Sequence, residues 1–132
     1  GQIVMSPASN QHGYLQVEIA TLLKGLGGGR VHTEASVKTS SGVKVADVAW
    51  CSKEFAEQHR SEDPFSAAPE VCVEIVSPSN SRREITEKRE LYFAAGAAEV
   101  WECDLAGQVT FYGQAGQLAG SGLFPAFPSQ VG

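Results

Sequence analysis

From Ser9 to Leu26 apolar residues recur at helical spacing, with Leu15, Ile19, Leu22, Leu23 and Leu26 on one arc. Ser9 or Asn10 stands where a cap belongs, so the pattern predicts an amphipathic first helix. Gly27-Gly28-Gly29 follows a helix rather than a strand and lacks the G-K-[ST] ending of a phosphate loop, so it reads as a stop and a turn. His12 falls on the apolar arc and reads as a packed, hydrogen-bonded residue rather than a ligand. From Arg30 to Thr39 the period drops to two, with Val31, Thr33, Ala35 and Val37 on one side. Ser40-Ser41-Gly42 then turns the chain into a second strand, VKVADVAWCS, completing a hairpin. On that strand Val43, Val45, Asp47 and Ala49 share a face, so Asp47 interrupts an otherwise apolar row.

Residues 53–69 are polar and proline-containing, which reads as a surface loop with room for one short helical turn. Val71 to Val76 is the next strand, ended by Ser77-Pro78-Ser79-Asn80. Ser81 followed by Glu84 has capping-box spacing and places a helix start near Arg82. That helix runs to about Ala95, where Gly96 stops it. Its winding sets Ile85, Leu91, Tyr92 and Ala95 on one arc with Lys88 inside it. EVWECD and QVTFY are two further strands joined by Leu105-Ala106-Gly107, and the Phe124/Phe127 tail is expected to pack as extended chain against the core. The predicted order is helix, three strands, helix, two strands, in one α/β domain spanning residues 1–132 with no internal repeat.

Two charges sit where they cost stability: Glu74 within a buried-strand pattern and Lys88 on the apolar side of its helix. With Asp47 they make three ionic groups aimed at apolar surroundings. Adjacent strands lie about 5 Å apart, so carboxylates on neighbouring strands can share one divalent cation if their faces agree. Magnesium would relieve their repulsion, and a nearby lysine would balance them without metal and orient or deprotonate an attacking water. The same residues also make a structural ion pair, Glu74 with Lys88 or Asp47 with Lys88, and spacing alone leaves both readings open. Ser77 and Ser79 have no adjacent histidine and read as turn and cap residues, against a serine hydrolase.

Composition narrows the partners. The net charge of -5 argues against coating nucleic acid by bulk attraction, so a nucleic-acid role needs local basic patches or other subunits. No apolar run reaches the roughly 18 residues that cross a membrane. Cys51, Cys72 and Cys103 are odd in number, far apart and without a C-x-x-C pair, which reads as buried thiols. No charged-then-apolar leader opens the sequence, and with the thiols this suits a reducing cytoplasm.

Ala46-Asp47, Val73-Glu74-Ile75-Val76-Ser77-Pro78-Ser79, Lys88, Tyr92, Gly96 and Glu99-Val100-Trp101 with Asp104 together resemble the Uma-two family of restriction-endonuclease-like proteins, within the PD-(D/E)xK nuclease superfamily. The resemblance implies a restriction-endonuclease-like mixed sheet flanked by helices, with the site at the bend of the sheet. It implies a Mg2+- or Mn2+-dependent endonuclease acting on DNA, with Asp47, Glu74 and the Ile75 carbonyl as metal ligands and Lys88 as the catalytic lysine. Two departures stand out. Ala46 replaces the usual proline, and Val76 stands where the superfamily lysine normally lies, so Lys88 must substitute from the helix. Glu18 is a candidate first-helix ligand, although a solvated position suits it better. Arg82, Arg83 and Arg89 are candidate phosphate contacts. A small domain that cuts both strands is expected to act as a homodimer. The rival expectation is a non-catalytic nuclease-fold module that binds nucleic acid or protein.

Overall fold

Ser9 caps the first helix: its hydroxyl accepts from the His12 amide at 3.0 Å in a computed structural model that describes residues 9–132. Helix α1 (Asn10–Leu26) leads into β1 (Arg30–Thr39), β2 (Gly42–Cys51), α2 (Lys53–Gln58), β3 (Val71–Val76), α3 (Arg82–Ala94), β4 (Glu99–Asp104), β5 (Val109–Gly113) and β6 (Gly116–Leu118). The strands form one mixed sheet in the order β1-β2-β3-β4-β5-β6. Only β3 and β4 are parallel, joined by the α3 crossover, and every other neighbouring pair is antiparallel.

Compared with the pattern read from the sequence, β6 is an addition, while α2 fills the place left for one short helical turn in residues 53–69. The six-residue α2 forms because the Ser52 hydroxyl accepts from the Phe55 amide (3.0 Å) and Phe55 turns into the core. β6 lacks any hydrophobic alternation to announce it. At the end of α1, Gly29 takes φ +89° beneath Trp50, and a Cβ there would collide with the Cys51 carbonyl oxygen, which fixes the need for glycine.

Each face of the sheet has its own apolar layer. On one, Leu15, Ile19 and Leu23 of α1 pack with Val71, Val73 and Ile75 and with Phe124, Phe127 and Val131 of the tail. On the other, Tyr92 of α3 packs with Cys72, Val100, Ala46 and Ala49. β3 thus alternates regularly between layers, while β2 does not. Ala46 and Ala49 belong to the α3 layer and Val48 to the α1 layer, so strict alternation fails at Asp47. Opposite it, Glu34 takes φ +53°, and the β1–β2 ladder skips the Glu34–Asp47 pair. The expected apolar row on β2 is therefore corrected: Val43 (53%) and Val45 (39%) are exposed, while Ala49 is buried.

The tail is held by a buried carboxylate. Glu99 accepts from Trp101 Nε1 (2.8 Å) and Ser121 Oγ (2.7 Å) on Oε1, and from the Gly122 and Leu123 amides (2.9 and 3.0 Å) on Oε2. The three thiols are free and buried. Glu99→Ala strands these donors inside the protein, and we expect it to cost about 3 kcal/mol, checked as a lowered urea midpoint. An unchanged midpoint would remove Glu99 as the anchor of the tail.

Candidate functional site

β2 pairs with β3 only from Val48–Val73 to Trp50–Val71, whereas the β3–β4 ladder continues to Val76–Asp104. Beyond Val48 and Val73 the sheet opens, and polar side chains take over from the missing ladder. The Ile75 amide donates to Asp47 Oδ2 at 2.7 Å. The Asp47 carbonyl accepts from Gln16 Nε2 of α1 at 2.8 Å, and the Val45 carbonyl accepts from Lys88 Nζ of α3 at 3.0 Å. A cavity of about 450 Å³ occupies the opening, lined among others by His12, Asp47, Glu74, Ile75, Asn80 and Lys88. The structure thus brings Asp47, Glu74 and Lys88, far apart in sequence, onto one cleft.

Glu74 is the most constrained of the three. Its Oε1 accepts from Lys88 Nζ at 2.7 Å and its Oε2 from the Tyr92 hydroxyl at 3.0 Å. Burial pushes its pKa up to about 7, with Lys88 pulling it down and Asp47 adding to the rise. Tyr92, completely buried, has its pKa raised by desolvation and then by the Glu74 charge, so it remains a protonated donor.

The neighbouring strand repeats the arrangement. Glu102 lies directly opposite Glu74 in the parallel ladder, and Arg89, the residue after Lys88, donates to Glu102 Oε2 at 2.7 Å. Like charges opposite one another destabilise a sheet, and consecutive cations on α3 answer both. The Arg89 guanidinium also lies 3.8 Å from the centroid of the Tyr112 ring. Arg89 is therefore committed to holding α3, and Arg83 pairs with Glu87 on the helix surface (3.1 Å). Arg82 lines a separate cavity beside Asn80 and Arg89.

Two residues not assigned to the site from sequence reach it from α1. His12 Nε2 stands 3.4 Å from Asp47 Oδ1, and Gln16, one turn on, holds the Asp47 carbonyl. Their i,i+4 spacing was visible, but nothing in the sequence linked that face to Asp47. Glu18 does not line the cleft. Ser77 and Ser79 serve the turn: their hydroxyls lie 2.7 Å apart, and the Ser77 amide donates to Asn80 Oδ1 (2.9 Å). His59, Glu62 and Ser66 cluster without forming a hydrolytic triad, because the one ring nitrogen Nδ1 of His59 faces both Glu62 Oε1 (3.0 Å) and the Ser66 hydroxyl (3.4 Å), so the imidazole does not bridge the two.

Among the described residues no three His, Cys, Asp or Glu side chains converge as a ready-made metal cage. Magnesium does not require one, since one or two carboxylates with waters and substrate phosphates complete its shell. Asp47 Oδ1, on the cleft and apart from the Ile75 bond, suits that donor chemistry.

Among the described residues no helix is long and apolar enough to cross a membrane. No curated protein matches this sequence. Among solved structures, a chain described as a "putative nuclease belonging to DUF820" from Anabaena variabilis ATCC 29413 superposes with a TM-score of 0.69 at 20% identity, covering 99% of this chain and 72% of that one. At that identity the likeness is one of fold. The Uma2 family model, described as "Putative restriction endonuclease", matches residues 1–120 of the 132. The chain belongs to the Uma2 family.

Proposed function

We propose that this protein is a metal-dependent deoxyribonuclease that hydrolyses DNA phosphodiester bonds, acting as a homodimer. The observation that carries the reading is the pairing of Glu74 and Lys88 at 2.7 Å on the same cleft as Asp47, where the sheet opens between β2 and β3. Asp47, Glu74 and the Ile75 carbonyl would hold Mg2+ or Mn2+. The bound cation supplies charge neutralisation and polarisation of the scissile phosphate. Asp47 presents Oδ1 while its other oxygen stays fixed by the Ile75 amide. Lys88, half-exposed, turns its ammonium from Glu74 toward an attacking water, orienting it and offsetting charge that develops on phosphorus. Tyr92 keeps its hydrogen bond to Glu74 and holds the carboxylate in place.

The second reading is a non-catalytic nuclease-fold module that binds nucleic acid or protein. It is favoured by the closure of both Glu74 oxygens by Lys88 and Tyr92, which makes the ion pair a scaffold, and by the net charge of -5. Calorimetry separates the two. We expect the protein to bind Mg2+ or Mn2+ and Asp47→Ala to lose that binding; a wild type that binds neither ion supports the scaffold. Lys88→Ala is expected to slow plasmid nicking by about 100-fold or more, and undiminished nicking would take the lysine out of the mechanism.

Metal-free protein carries a pH signature of Glu74. Its folded pKa of about 7 lies above the ordinary 4.5, so its contribution to stability is complete below the unfolded value and is lost as pH rises through 7. In chelator, the melting temperature of wild type minus that of Glu74→Gln should therefore fall between pH 4.5 and pH 8. A constant or rising difference would show that Glu74 is not held protonated by burial.

A further inference from the structure

The least explained group at the cleft is His12. The ring is mostly buried (17% of the side chain exposed), its Nδ1 is buried without a hydrogen-bond partner, and its Nε2 lies 3.4 Å from Asp47 Oδ1. With Nδ1 buried and without a partner, Nε2 is the ring nitrogen placed to present an N–H toward Asp47. The separation exceeds the ~2.7–2.9 Å of a tight charge-assisted bond, which leaves lone pairs of Oδ1 open to the cleft.

His12 does not act alone. Gln16 follows it by one helical turn and donates to the carbonyl of the same aspartate at 2.8 Å. The Ile75 amide takes Oδ2 from the other side. Asp47 is thereby fixed at its backbone, at one carboxylate oxygen and at the approach to the other. Free rotation of an aspartate would be the expected behaviour at a place where strand alternation fails and the ladder to β3 has ended. The fixing elements are rigid, since α1 is anchored in the core by Leu15, Ile19 and Leu23.

We infer that His12 and Gln16 are positioning residues that hold Asp47 in its cation-binding geometry, His12 through Nε2–H toward Oδ1 and Gln16 through the main-chain carbonyl. The inference rests on the metal-dependent reading above. Partners of this kind, one shell beyond the ligands, change metal affinity by about 10- to 100-fold when removed.

The test is Mn2+ titration calorimetry of the full chain, with melting temperatures recorded in parallel. His12→Phe keeps the packing and removes the donor, and is expected to weaken Mn2+ binding about 10-fold. His12→Gln, which returns an N–H at similar reach, should recover most of the loss; a purely structural role for the ring would not be rescued this way. Gln16→Met provides a second arm should His12→Phe fold poorly, with several-fold weaker binding expected. Folded His12→Phe and Gln16→Met proteins that bind Mn2+ as tightly as the wild type, while Asp47→Ala does not bind, would overturn the positioning role and leave the metal reading intact. A wild type that binds no Mn2+ would overturn both.

Discussion

The rest of the cleft follows from one break in the sheet: β2 leaves β3 after three paired positions. Backbone polar groups released from a ladder inside a protein need other partners. Here they find Lys88 for the Val45 carbonyl, Gln16 for the Asp47 carbonyl and the Asp47 carboxylate for the Ile75 amide. The groups that could do chemistry are therefore also those that close the backbone at the opening. Local strain accompanies the break, with Glu34 held at φ +53° across from Asp47, a conformation that costs a non-glycine residue on the order of 1 kcal/mol or more.

Helix α3 meets the sheet through charge as well as apolar contact. Lys88 and Arg89 are consecutive, and they answer Glu74 and Glu102, which are paired across β3 and β4. Desolvation raises the pKa of both carboxylates, and the two cations oppose that rise. The two pairs differ in what surrounds them. Arg89 is stacked on Tyr112 and its partner lies on the strand away from the opening, which suits a structural clamp. Lys88 sits at the cleft and is the more exposed of the two, at 31% against 19%.

Much of this was legible in the residues. Helical spacing located α1 and α3, the Ser81/Glu84 box is present as the spacing required, and the arc through Tyr92 aimed Lys88 at the sheet. These features are local, and local periodicity reports them well. Asp47 was singled out for interrupting a row that does not exist: Val43 and Val45 face solvent, and the change of face occurs at the aspartate itself. A strand's departure from its neighbour is a tertiary event with no period-two signature. The same holds for His12 and Gln16, whose meaning depends on which strand α1 crosses. Arg89 read as a candidate phosphate contact because its partner Glu102 lies on a different element, 13 positions away.

The carboxylate of Glu99 gives the last segment an importance that its irregular backbone conceals. The family match stops at residue 120, and the three groups that grip Glu99 from the tail begin at Ser121. A chain trimmed to the matched region would keep every strand and every residue of the cleft. It would also lose the Phe124 and Phe127 packing on Trp101 and leave the Glu99 carboxylate with the Trp101 indole alone of its four donors. The natural unit for expression or grafting thus extends past the family boundary, because the closing turn completes the interior beneath it.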